Sequence, residues 1–194
     1  MEVYNHNRKS RFFAFSSLIC VFLALLASAA FFLFQDFQTS RADSQIPLYR
    51  ADHEPTRLEI PALNLSAPIT PVGLDSATRQ IAVPDHDVGW FEPNAAPQDP
   101  GVVFLVGHND GIFQGLEALQ IGDHLTIHLA SDTIGGVAYQ VYSISTEVRE
   151  SISMRQVLAP EDYTHELVVM TCAGDFNHAI DTYTHRLIIR ARRT

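Results

Sequence analysis

The chain has 194 residues and a formal net charge of −9, which allows one domain of ordinary size plus a short accessory segment and excludes two full domains. Beyond Gln35 all but one of its 22 acidic residues remain against all but three of its 13 basic ones, none of them lysine, a balance of about −11. So acidic a body is a poor partner for nucleic acid or an anionic lipid surface.

In chain order, residues 1–11 read as a cytoplasmic tail and residues 12–34 as a transmembrane anchor. The second stretch is uncharged, and its 23 residues exceed the roughly 20 that a helix needs to cross a bilayer. Arg8, Lys9 and Arg11 precede it and Asp36 follows it, so the positive-inside bias predicts an extracytoplasmic body. Ala27-Ser28-Ala29 also has the pattern of a signal-peptide cleavage site. Cleavage there would leave Phe31-Phe32-Leu33-Phe34 at a mature N-terminus, so an uncleaved anchor is the preferred reading. Residues 35–55 are polar, lack periodicity and contain prolines, which marks a stalk.

From residue 56 to 194 short β signals dominate. Strands are expected at Arg57 to Ile60, Ala67 to Val72, Gln80 to Val83, Val102 to Val106, His124 to Leu129, Val137 to Ser145, Glu166 to Cys172 and Arg186 to Arg190, with helical turns at Phe113 to Leu119 and Met154 to Leu158. Eight short strands broken by Pro, Gly, Asp and Asn favour an all-β barrel or sandwich. Val102 to Val106 and Leu167 to Met170 are continuous apolar runs, the mark of strands buried on both faces. His124 to Leu129 alternates, so one of its faces meets solvent.

Cys172 is the only cysteine outside the anchor, and an unpaired thiol in an outward-facing domain is a candidate nucleophile. Cys20, within the anchor, reads as a small apolar residue or an acylation site. Ala173-Gly174-Asp175 is a loop signal that would leave Cys172 at a rim, with Arg186 within reach across the sheet. A guanidinium there favours thiolate over thiol. His108, just past Val102 to Gly107, is the candidate general acid and base, and Asp110 is placed to orient its ring. Arg190, Arg192 and Arg193 read as a solvated basic tail. His124 and His128 fall on one face of a strand but too far apart for a zinc site, so no metal is expected. A cysteine phosphatase would need an arginine six residues after the nucleophile, where His178 stands.

Thr171-Cys172, the segment Tyr183 to Ala191 and Gly107-His108 together resemble the sortases, membrane-anchored cysteine transpeptidases of bacterial surfaces. Arg57 to Leu63 with Ala67-Pro68-Ile69 is similar to the opening strands of that family, Val88-Gly89-Trp90-Phe91 to the segment before its histidine strand, and Leu119 to Asp123 to its "L..GD" turn. The resemblance implies an eight-stranded β-barrel, with Cys172 as nucleophile, His108 as acid and base, and Arg186 as the group that grips substrate and stabilises the oxyanion. It implies cleavage of an LPxTG-like sorting signal between Thr and Gly without ATP, metal or other cofactor. Partners would be surface proteins carrying that signal and an amine acceptor, a cell-wall precursor or a protein lysine, at the bacterial plasma membrane. The substrate wall is expected from Met154, Val157 and Leu158, with Thr171 and Ala173 beside the nucleophile. Val-Val-Met-Thr-Cys departs from the usual Thr-Leu-x-Thr-Cys, and residues 36 to 55 hold no lid with a blocking motif. Two other readings share these residues: a cysteine hydrolase resolved by water, and a non-catalytic membrane-anchored β-domain that binds surface polymers and keeps Cys172 as core.

Overall fold

The computed structural model describes residues 52–131 and 135–194. The tail, the anchor and almost all of the stalk lie outside the described residues. Eight strands follow in order: β1 (Pro55–Ile60), β2 (Leu65–Val72), β3 (Val88–Phe91), β4 (Gly101–Val106), β5 (His124–Leu129), β6 (Val137–Val148), β7 (His165–Asn177) and β8 (Thr182–Arg193). They close into a barrel in the order β1-β2-β3-β4-β7-β8-β6-β5, with β5 returning to β1. Closure removes the free edges that an open sheet would present to other chains. The pairs β2–β3 and β4–β7 are parallel and the others antiparallel.

The all-β reading holds, with two revisions to the strands. Gln80 to Val83 is no strand; its only ladder contact is a single bridge from Ile81 to Leu74. The Asp75 carboxylate accepts from the backbone N–H of Ala77 and Thr78, at 3.1 and 2.7 Å, and from the Thr78 hydroxyl at 2.9 Å. A side chain that caps its own turn in this way competes with sheet pairing. The eighth place belongs to β3, whose four residues are all buried and therefore lack the alternation by which a strand is recognised.

The second revision concerns length. Both β7 and β8 run well beyond their apolar cores and pair as far as Asn177 with Thr182. The expected loop at Ala173-Gly174-Asp175 is instead an irregularity in this ladder, between Ala173 and Phe176, with Gly174 at φ +74°. An extra residue that bends a strand without ending it is a β-bulge, and the left-handed position suits glycine.

Apolar residues pack on both faces of the sheet. Inside the barrel Leu58, Leu105, Leu125, Tyr139, Leu167 and Ile189 belong to the main core. Outside it Phe104, Val106, Val168 and Ile188 form a second cluster, covered by Val157 and flanked by Ile152, Met154 and Leu158. The cover comes from the β6–β7 connection, which carries one short helix, α1 (Met154–Val157). The double burial expected of β4 and β7 has this origin, and the two strands are neighbours.

Gly174→Ala tests the bulge. The new methyl would sit at positive φ and collide with the His185 ring and with the Thr184 hydroxyl 2.6 Å away. Strain and overpacking together should cost at least about 2 kcal/mol. The single tryptophan, Trp90, is buried in the core, and its fluorescence during urea unfolding reads the lowered midpoint.

Candidate active site

Strand register assembles the site. Cys172 on β7 lies directly opposite Arg186 on β8, and Arg186 in turn opposite Glu147 on β6. On the other side of β7, β4 runs parallel with Val106 beside Met170, so His108 leaves the end of β4 level with Cys172. Side chains alternate between faces, and Val168 and Met170 belong to the outer cluster. Cys172 therefore projects from the outer face, together with Arg186. The next row along the strands is Ser145, Ile188, Met170 and Val106.

The backbone before the histidine is tied down. The buried Thr171 hydroxyl donates to the Gly107 carbonyl at 2.7 Å, and the His108 carbonyl accepts from Gly111 N–H at 3.3 Å and Phe113 N–H at 3.0 Å. Gly107 itself has no room for a side chain, since a methyl would meet the Phe113 ring at 2.6 Å. The Gly-His order thus reflects close packing of the chain against the barrel end.

A cavity of about 450 Å³ opens at Cys172, lined also by Asn109, Asp110, Gln114, Glu117 and Leu187. The half-buried thiol has its pKa raised: burial is the largest cause, the positive charge of Arg186 opposes it, and the negative charge of Asp110 adds to it. Burial disfavours the thiolate, so the resting nucleophile is a thiol. The influence of Arg186 has the direction expected from the sequence, toward thiolate, but burial outweighs it. Asp110 acts on the sulfur, and among the described residues no hydrogen bond joins its carboxylate to the His108 ring.

Arg186 is held by its own strand end. One terminal nitrogen donates to the carbonyls of Tyr183 at 3.1 Å and His185 at 2.8 Å, and the other to the Thr182 hydroxyl at 3.2 Å. Of the five N–H groups of a guanidinium, two remain for a ligand. No carboxylate lies within ion-pair distance among the described residues; the pKa of Glu150 is lowered chiefly by a hydrogen bond from its own backbone N–H and by Arg149, with Arg186 the smallest contributor.

Of the expected substrate contacts, Met154, Val157 and Leu158 do sit on the face that carries Cys172, packed with the outer cluster. Val157 is itself buried. Thr171 belongs to the opposite face, with its hydroxyl spent on Gly107, so it positions the strand rather than facing a ligand. Ala173 also packs toward the interior, although it borders the cavity. His128 lies 3.1 Å from the Glu59 carboxylate and is not part of any metal cluster among the described residues.

The expected basic tail is only partly a tail. Arg190 is 5% exposed and lies 3.0 Å from Glu166, which is fully buried. Both project on the outer face beneath the β6–β7 connection, with Arg190 at the wall of a cavity there. Sequence reading missed this pair. Its signal was a charge of each sign beside or within an apolar run, Glu166 next to Leu167 to Met170 and Arg190 within Leu187 to Ala191.

The closed eight-stranded barrel, with a thiol and a guanidinium paired on one row of its outer face and an imidazole at the adjacent strand end, defines a thiol acyl-transfer class of site. Residues 58–194 match the model of the sortase domain, so this chain belongs to the sortase family and, at that level, to the cysteine transpeptidases. A lid mutant of sortase A from Corynebacterium diphtheriae is 25% identical and aligns with a TM-score of 0.54 over 72% of this chain and 69% of that one. Sortase C1 from Streptococcus agalactiae shares the fold at 24% identity and TM-score 0.51, over 72% of this chain and 66% of that one. A Clostridium perfringens sortase D5 transpeptidase does so at 19% and 0.54, over 73% and 79% respectively. No curated protein matches the sequence.

The charge balance at the sulfur can be read directly. Asp110→Asn removes a charge that raises the thiol pKa and should lower it; Arg186→Gln removes one that lowers it and should raise it further. The rate of iodoacetamide alkylation against pH gives both midpoints, on either side of the wild-type value. Coincident midpoints would place neither charge near the sulfur.

Proposed function

We propose that this chain cleaves an LPxTG-like sorting signal through a thioester on Cys172 and transfers the acyl group to an amine at the cell surface. The observation that carries this reading is the register of β7, which pairs Cys172 with Arg186 and sets His108 level with both. The chemistry follows from the resting state. The thiol first passes its proton to the imidazole of His108, and the thiolate attacks the carbonyl carbon of the substrate threonine. As the C–N bond to glycine breaks, the imidazolium returns the proton to the departing amine. The two free N–H groups of Arg186 stabilise the oxyanion. An incoming amine then gives up a proton to the imidazole and attacks the thioester, and the departing thiolate takes that proton back from the imidazolium, which restores the resting thiol.

The apolar part of the signal is placed on the surface formed by Met154 and Leu158, with Ala173 at the cavity edge. One row of the sheet corresponds to roughly 7 Å along the strands, about two residues of an extended peptide, so positions upstream of the scissile bond reach this surface. Residues 12–34 are proposed to hold the barrel at the outer face of the plasma membrane, within reach of secreted substrates and of wall or protein amines.

The full chain incubated with an LPxTG peptide should gain the mass of the LPxT acyl group on Cys172, and added amine should discharge it. Cys172→Ala should lose both events and keep its fold, whereas Arg186→Lys should keep the charge but lose the fork, with a fall in turnover of about 100- to 1,000-fold. A stable acyl-enzyme discharged only by water would make the protein a hydrolase. No adduct in the wild type under any acceptor would overturn the reading.

A further inference from the structure

The β6–β7 connection, from Arg149 to Thr164, has little regular structure of its own beyond one helical turn and a 3-10 turn at Arg149–Ser151. Fixing such a segment costs about 1–2 kcal/mol per residue in backbone entropy, so something must hold it. Glu166 and Arg190 supply partners along its second half. One oxygen of Glu166 accepts the backbone N–H groups of Glu161, Asp162 and Tyr163 at 3.0, 2.8 and 2.9 Å, and the other takes Arg190 at 3.0 Å. Arg190 in turn donates to the carbonyls of Gln156, Val157 and Ala159 at 3.1, 3.4 and 3.5 Å, and reaches the Glu161 carboxylate at 3.2 Å.

Two features separate this pair from an ordinary ion pair in a core. Both charges are buried, which is unfavourable unless their remaining hydrogen-bonding capacity is also filled; the bonds named above go to the connection, while the Tyr142 hydroxyl of β6 faces Glu166 from the sheet. The carbonyls that Arg190 holds lie at the last turn of α1 and just beyond it, and that of Gln156 also accepts the backbone N–H of Ala159 at 3.2 Å. The segment so held forms one side of a second cavity, of about 570 Å³. Gln156 and Pro160 lie on that side; Ser145 and Ile188 line the sheet side, in the row next to Cys172.

We propose that Glu166 and Arg190 are positioning residues that clamp the β6–β7 connection over the sheet and thereby set the width of the substrate cleft. The inference rests on the transpeptidase reading for the identity of the substrate, but the clamp itself is a property of the fold. Neither residue lies in the Cys172 row, so loosening them should weaken substrate binding and leave the chemical step intact.

The test uses the full chain and three variants, Arg190→Met, Arg190→Lys and Glu166→Gln. Hydrogen–deuterium exchange should rise at the amides of residues 156–163 while those of β4 and β7 keep their protection. With a fluorogenic LPxTG peptide, Arg190→Met should raise KM about tenfold with kcat within about twofold. Arg190→Lys, which keeps the charge, should fall between it and the wild type. Exchange that is unchanged, or that rises alike in all strands, would overturn the clamp, as would a loss confined to kcat. Should Arg190→Met fail to fold, Glu166→Gln keeps the side-chain volume and carries the same comparison. If the wild type cleaves no peptide, the transpeptidase reading fails on its own, and the exchange pattern alone supports or overturns the clamp.

Discussion

Everything at this site depends on the two ladders of β7. Its antiparallel ladder with β8 fixes which residue faces Cys172, and its parallel ladder with β4 fixes the level at which His108 leaves the sheet. A slip of one residue in either pairing would send a side chain to the opposite face. Shape and charge resist that slip, because Leu167 and Val169 fit the barrel interior and Val168 and Met170 the outer cover, and because a slip would turn the Glu166 carboxylate into the apolar interior. The same cores that stabilise the fold are therefore what aligns the thiol with the guanidinium. Thr171 adds the finer adjustment, since its hydroxyl ties β7 to the residue before the histidine.

The electrostatics of the sulfur are a contest that burial wins. A nearby guanidinium pulls the thiol toward ionisation, but Asp110 partly cancels it, and the half-buried position disfavours any charge. Such an arrangement disfavours the thiolate, and a thiol is far less reactive than a thiolate toward chance electrophiles. In the proposed reaction it also gives Arg186 a second use. A guanidinium with no carboxylate in ion-pair distance among the described residues, and whose orientation is fixed by its own strand's carbonyls, retains its field for charge that develops on the substrate.

Much of this was legible in the sequence, for reasons that differ by residue. The apolar runs that became β4 and β7 announced themselves because double burial leaves no polar residue to interrupt them, and Cys172, His108 and Arg186 each border such a run. Strand ends were less legible. Polar residues such as Glu147, Asp175 and Asn177 look like loop, but a ladder continues through them when both strands of a pair run on together. β3 was hidden by its lack of alternation, and Gln80 to Val83 mimicked a strand next to a self-capped turn. The thiol's pKa was not legible at all, since burial and the position of Asp110 depend on how a loop folds over the barrel end.

The Glu166–Arg190 pair shows why charge within an apolar run deserves a physical reading. A buried ion pair often stabilises no more than an apolar substitute of the same volume, so its presence here calls for something an apolar pair would not provide. Leucines in these positions would fill the space but accept no N–H from residues 161–163 and donate nothing to the carbonyls at the end of α1. The connection would still be covered by the outer cluster through Val157, yet its polar backbone would be left to find water. Charge at these two positions thus specifies where an irregular segment lies rather than adding to the core. A cleft wall made of such a segment inherits its shape from those few directional bonds.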